Sequence, residues 1–260
     1  MSYTKKSLGQ NFLVDKNIIK KIINLVNIKD KNVIEIGPGE GALTDEILKR
    51  KPRTLKAVEK DSYLAKNLKD KYSKIKNVKI FHEDILRSRL EKLILKNTII
   101  MGNLPYNISS QIFVKILKTK KWPSKINDII FMFQKELGEK IICKYPSNSY
   151  GRLSILKDFR LHVINKFLVS PNCFFPKPKV ISIVAHFKPK IQMLYKIKKL
   201  ENLEKVTNIL FSNRRKMINK NIKKLLSPKK IIQIKDLNLN LRPSEIKPQI
   251  YYKITELFEK

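Results

Sequence analysis

Asn103-Leu104-Pro105-Tyr106 follows directly on the apolar run Thr98-Ile99-Ile100-Met101-Gly102, and its residue types suit the handling of an exocyclic amine. The amino group of adenine is a poor nucleophile because its lone pair is delocalised into the ring. Methylating it requires acceptors that hold it and aim it at an activated methyl. The amide oxygen of Asn103 and the carbonyl of Leu104 are two such acceptors. Pro105 drives Leu104 out of helical geometry and brings no competing N–H, which turns that carbonyl outward. Tyr106 offers a flat face for a base. The same four residues also read as an ordinary turn after a strand, since Asn and Pro are common turn residues.

A second set lies upstream, in Val33-Ile34-Glu35-Ile36-Gly37-Pro38-Gly39-Glu40-Gly41 and the helix-like stretch that begins at Ala42. A buried strand, a glycine turn and a helix start let a cofactor approach the backbone closely. The chain has seven glycines, and three of them fall within these five positions. Their spacing is Gly-x-Gly-x-Gly, one residue short of the dinucleotide fingerprint, which favours S-adenosylmethionine over a nicotinamide. The strand Leu55–Val58 ends in Glu59, the candidate for binding a ribose. The strand beginning at Val78 ends in His82-Glu83-Asp84, and Asp84 is positioned to accept from a cofactor's adenine amine. Asn103 closes the fourth strand. Any one of these acids alone reads as a solvated strand end, but four consecutive strands ending in polar candidates describe the ligand crevice of an open parallel sheet.

These residues need an α/β scaffold, and composition permits one. The chain has 260 residues, 42% of them hydrophobic, enough for one large domain and a small appendage. No run reaches the roughly 20 apolar residues of a membrane span, and Met1–Lys6 lacks the apolar stretch of a signal peptide. Cys143 and Cys173 are the only cysteines, too few and too far apart for a metal site, and His82, His162 and His186 show no ligand spacing. The expectation is a reduced, cytoplasmic protein without metal. A formal charge of +34 points to a polyanion. Only nine of the 56 basic residues are arginine, and a biased genome can generate such lysine excess, so clustering informs more than the total. Beyond Pro189, Leu203, Val206, Leu210, Met217, Ile218, Ile222 and Leu225 form a helical stripe broken near Ser212-Asn213. Pro228 ends it. The opposite face carries Arg214, Arg215, Lys216 and Lys220, expected to contact RNA, since arginine grips phosphate bidentately.

Taken together, Ser7-Leu8-Gly9-Gln10-Asn11-Phe12-Leu13-Val14-Asp15, the Glu35–Gly41 turn, Asn103–Tyr106, Phe174-Phe175-Pro176-Lys177-Pro178-Lys179-Val180 and Phe211–Lys216 resemble the small-subunit (16S) rRNA adenine dimethyltransferase family, from Ser7 to the end of the chain. The resemblance implies a Rossmann-like class I S-adenosylmethionine-dependent methyltransferase that dimethylates two adjacent adenosines in a 3′-terminal hairpin of 16S rRNA. It places cofactor contacts at Asn11, Leu13, Gly37, Glu59, Asp84 and Asn103. It places the target-base pocket at Asn103, Leu104 and Tyr106, with Phe174 as a second aromatic wall. The expected architecture is a seven-stranded, doubly wound, mostly parallel sheet in residues 1–187, closed by a strand over Val180–Phe187. A small all-helical domain in residues 188–260 follows. The expected partner is small-subunit rRNA or the assembling subunit, and the expected state is a monomer. Two further readings stand beside this one: a 23S rRNA adenine dimethyltransferase of the macrolide-resistance type, and a non-catalytic RNA- or DNA-binding relative, in which the Asn-Leu-Pro-Tyr block should have eroded.

Overall fold

The computed structural model describes residues 11–120, 122, 125–192 and 194–260. Ser7–Gln10 of the opening block lie outside them. Seven strands, β1 (Asn32–Ile36), β2 (Thr54–Glu59), β3 (Val78–His82), β4 (Thr98–Asn103), β5 (Ile126–Gln134), β6 (Leu161–Val169) and β7 (Ser182–Pro189), form one sheet in the order β3-β2-β1-β4-β5-β7-β6. The first five run parallel, and β7 is antiparallel to β5. This is the mostly parallel, doubly wound sheet expected from the sequence. The strand order reverses between β1 and β4, so their carboxyl ends open the crevice where such sheets bind ligands.

β1 is buried along its whole length, as a strand covered on both faces must be. On one face Val33, Ile99, Met101 and Met132 pack with Ile22 and Ile47, which come from the helices Lys16–Ile23 and Ala42–Lys49. On the other, Phe113 of the helix Ser109–Leu117 meets Phe133 edge-on at 5.8 Å and Phe187 at 5.3 Å. Gly102 lets β4 run close beside β1: a Cβ there would sit 2.5 Å from the Ile36 carbonyl oxygen. Asp15 caps the first helix by accepting from the N–H groups of Asn17 and Ile18. A separate two-stranded ribbon pairs Phe12 with Phe175 and Leu13 with Phe174. The closing strand begins at Ser182, two residues later than expected, and Val180 and Ile181 stay outside it, each 41% exposed.

By compactness the described residues fall into two units. Of these residues, one unit gathers 11–116, 125–138 and 163–189, and the other 117–120, 122, 139–162, 190–192 and 194–260. A single boundary after residue 187 therefore differs from this division, which groups two internal segments with the C-terminal residues. Interactions between residues distant in sequence explain the grouping of the second unit. Tyr252, on the helix Pro248–Phe258, donates to the Ile155 carbonyl and packs on Phe159 at 5.1 Å. Tyr150 donates to the Ile246 carbonyl. The buried Arg160 donates to the carbonyls of Leu117 and Thr119 beneath the Trp122 ring. The helical stripe breaks where expected: Leu200–Phe211 is one helix and Asn219–Ile222 the next. Met217 leaves the stripe, 50% exposed. Pro228 opens a short helix, Pro228–Ile231, because proline suits a first helical position. Among the described residues no helix is long and apolar enough to cross a membrane.

Candidate active site

The loops after β1, β2, β3 and β4 and the segment Asn11–Val14 enclose a cavity of about 340 Å³. Asn11, Leu13, Gly37, Glu59 and Asp84 line it, together with Asn103, Leu104 and Tyr106. Phe12 belongs to the same wall, although the sequence reading gave it no role. At Gly39 the backbone has φ +60°, and a Cβ would lie 2.8 Å from the Phe12 ring. Only glycine meets both conditions.

Glu59 organises this turn. Its Oε2 accepts the Gly39 N–H at 3.1 Å and its Oε1 accepts the Asp61 N–H at 2.9 Å. Burial pushes its carboxyl up, while these backbone donors pull it back down. The Lys60 N–H is a third donor to this carboxylate, and the acceptor capacity that remains suits a hydroxyl of a ribose. Asp84 forms an ion pair with Lys60 at 2.9 Å and accepts the Leu86 N–H. The Lys60 ammonium holds its carboxyl below the usual range. Beneath the turn, Glu35 is 1% exposed and accepts from the Thr44 hydroxyl at 2.7 Å. Burial pushes its carboxyl up to about 7. Its second oxygen has no hydrogen-bond partner among the described residues.

Asn103 donates from Nδ2 to the Asn11 carbonyl at 2.8 Å. A carbonyl only accepts, so this bond settles which way the amide faces. Oδ1 is the opposite prong, an acceptor on a residue of the cavity wall. Tyr106 is held at its far end, its hydroxyl 2.6 Å from Ser182 Oγ. Burial raises the phenol's pKa, so Tyr106 stays neutral at the cavity wall. Ser182 is fully buried and was missed in the sequence, where its one signal is a hydroxyl at the head of an apolar strand.

Phe174 is the correction. The expectation set its ring on the pocket wall, yet it is 4% exposed and packed in the core. Directly opposed residues of a ribbon share a face, and Phe174 lies opposite the buried Leu13. Its neighbour therefore turns the other way, and Phe175 is 54% exposed. In the second unit, Arg214, Arg215, Lys216 and Lys220 are all exposed. Arg214 also donates to the carbonyls of Asn148 at 3.0 Å and Tyr150 at 3.3 Å.

The family model described as ribosomal RNA adenine dimethylase matches residues 1–260. The chain is 40% identical over 256 residues to a protein of Pelagibacter ubique named ribosomal RNA small subunit methyltransferase A, covering 98% of this chain and 97% of that one. A protein of the same name from Mycoplasma mobile is 38% identical over 255 residues, with 95% of each chain covered. Among solved structures, a dimethyladenosine transferase from Plasmodium falciparum superimposes with a TM-score of 0.77 at 23% identity, over 94% of this chain and 95% of that one. The 23S rRNA methyltransferase ErmE gives 0.69 at 23% identity, over 96% and 100%. At that identity both report the shared fold alone. A match running from one end of the sequence to the other, on the strand order and cavity such chemistry needs, makes this chain a member of the ribosomal RNA adenine dimethylase family of S-adenosylmethionine-dependent methyltransferases.

Proposed function

We propose that the protein transfers methyl groups from S-adenosylmethionine to the exocyclic amines of two adjacent adenosines in the 3′-terminal hairpin of 16S rRNA, two methyls to each, during biogenesis of the small subunit. The observation that carries this reading is the oriented Asn103 amide, which offers an acceptor at the cavity through its bond to Asn11. The names of relatives at 40% and 38% identity over nearly the whole chain support the small subunit as substrate. The intact Asn-Leu-Pro-Tyr block argues against a non-catalytic relative.

The residues present fit the cofactor. A glycine turn that a Cβ would fill lies beside Glu59 and Asp84, acceptors for hydroxyls and for an amine. When bound, the cofactor supplies a methyl made electrophilic by its sulfonium. Asn103 Oδ1 and the Leu104 carbonyl accept the two N–H bonds of the target amine and favour its pyramidal form. The Tyr106 ring, tethered to Ser182, stacks on a base turned out of its helix. Methylation makes the nitrogen acidic, and its proton leaves to water, so positioning and electrostatics suffice without a strong base. The monomethylated amine has one donor fewer and is held by the remaining acceptor for the second transfer. Arg214, Arg215, Lys216 and Lys220 hold rRNA phosphates.

The test is mass spectrometry of rRNA after incubating the protein and cofactor with small subunits from cells lacking this methylation. Two adjacent dimethyladenosines near the 3′ end are the expected product. Modification of 23S rRNA instead, or no modification of either, would overturn the reading.

A further inference from the structure

We infer that the segment from Phe175 to Ile181 is a stacking platform for the nucleotide next to the target adenosine, with the Phe175 ring at its centre. This rests on the proposed adenosine chemistry. Both ends of the segment are tied to the cavity wall. Phe175 lies in register opposite Phe12, which lines the cavity and covers Gly39. Ser182, directly after Ile181, holds the Tyr106 hydroxyl. Between these anchors Pro178 is buried, and Lys177 and Lys179 are exposed. The apolar side chains left outside are Phe175 at 54%, Val180 at 41% and Ile181 at 41%, and Val14 on the cavity wall is 51% exposed.

An aromatic ring and aliphatic side chains interleaved with lysines are the chemistry that binds single-stranded nucleic acid, bases on the apolar surface and phosphates on the ammonium groups. Continuity and charge fix the occupant. A strand that sends one base into the cavity must pass the cavity's rim with the next, and the flanking lysines favour a polyanion over an apolar protein segment. Turning out the target also deprives its neighbour of a stacking partner, and the Phe175 ring replaces it. The proposed substrate has two adjacent adenosines, so the one outside the cavity occupies the platform. The same surface then serves both as they exchange places.

The full-length protein can be titrated with a hairpin RNA carrying two adjacent loop adenosines, intact or with either adenosine replaced by an abasic site. The parent should lose at least about fivefold in affinity for each abasic RNA. Phe175→Ala should bind the intact RNA at least about fivefold more weakly and show no further loss with the abasic forms. Phe175→Trp should restore the parent's pattern. Cofactor affinity measured on each variant checks folding. An abasic penalty equal in Phe175→Ala and the parent would overturn the platform. Failure of the underlying reading shows separately, as absence of methyl transfer by the parent to unmethylated small subunits.

Discussion

Asn103 is turned by a carbonyl 92 residues upstream in the chain, so its oxygen is aimed before any substrate arrives. Asn103→Ala should lower the rate of methyl transfer by about 10²–10³, the ~2.7–4 kcal/mol typical of a preorganised hydrogen bond, while cofactor affinity falls much less. Single-turnover methylation beside calorimetry separates the two effects, and a rate above about a tenth of the parent's would remove Asn103 from the centre of the reaction. Glu35 leads to a pH dependence. Its carboxyl is raised from 4.5 to about 7 by burial, so the folded state holds the proton more tightly than the unfolded one. Its contribution to stability is fully present below about 4.5 and is lost as pH rises through about 7, by about 3 kcal/mol. Glu35→Gln, which cannot ionise, should therefore gain stability relative to the parent between pH 5 and pH 8 in urea titrations; a constant difference across that range would contradict the assignment. The two residues were not equally legible in sequence. Asn103 announces itself by ending an apolar run beside Pro105, whereas Glu35 sits inside a strand read as buried, and only the packed helix above it reveals its partner, the Thr44 hydroxyl.

The glycine turn and the end of β2 form one device, because the Glu59 carboxylate ties Gly39 to Asp61. Glu59→Ala should weaken cofactor binding at least about tenfold, through missing ribose acceptors and a loosened turn, and leave RNA affinity intact. Calorimetry with the cofactor alone checks this, and unchanged affinity would mean that the ribose is held elsewhere. Elements of this kind were readable, since β2 and β4 end in Glu59 and Asn103, and the glycine turn and Asp84 follow directly on β1 and just after β3. The Phe12–Leu13 and Phe174–Phe175 ribbon was not. Which of two adjacent phenylalanines faces inward depends on register with a partner strand far away in sequence, and a slip of one residue exchanges them. Val180 and Ile181 look like strand in isolation for the same reason. Nothing local says that pairing with β5 begins only at Ser182.

Across the whole molecule a charge of +34 makes salt the natural variable. Arg215 and Lys216 are exposed, and replacing both with alanine should flatten the log–log salt dependence of rRNA binding by roughly 0.7–0.9 for each phosphate no longer neutralised, with little change in melting temperature. Arg214→Ala should also lower the melting temperature by a few degrees, because its guanidinium bonds the Asn148 and Tyr150 carbonyls. Filter binding across a salt series beside thermal melts distinguishes the roles; parallel slopes for parent and double variant would exclude phosphate binding by Arg215 and Lys216. The sequence disclosed the helical C-terminal region by its stripe but not the membership of residues 139–162, whose partners Tyr252 and Ile246 are distant in sequence. The ribbon that joins Phe12 to Phe175 has a consequence for vectorial synthesis. While the ribosome has yet to release residue 175, the strand that carries Phe12 has no partner, and the ring that covers Gly39 is not held in place. A nascent chain thus emerges with one wall of this cavity unpartnered until residue 175 has followed, well past the parallel strands that the sequence displays first.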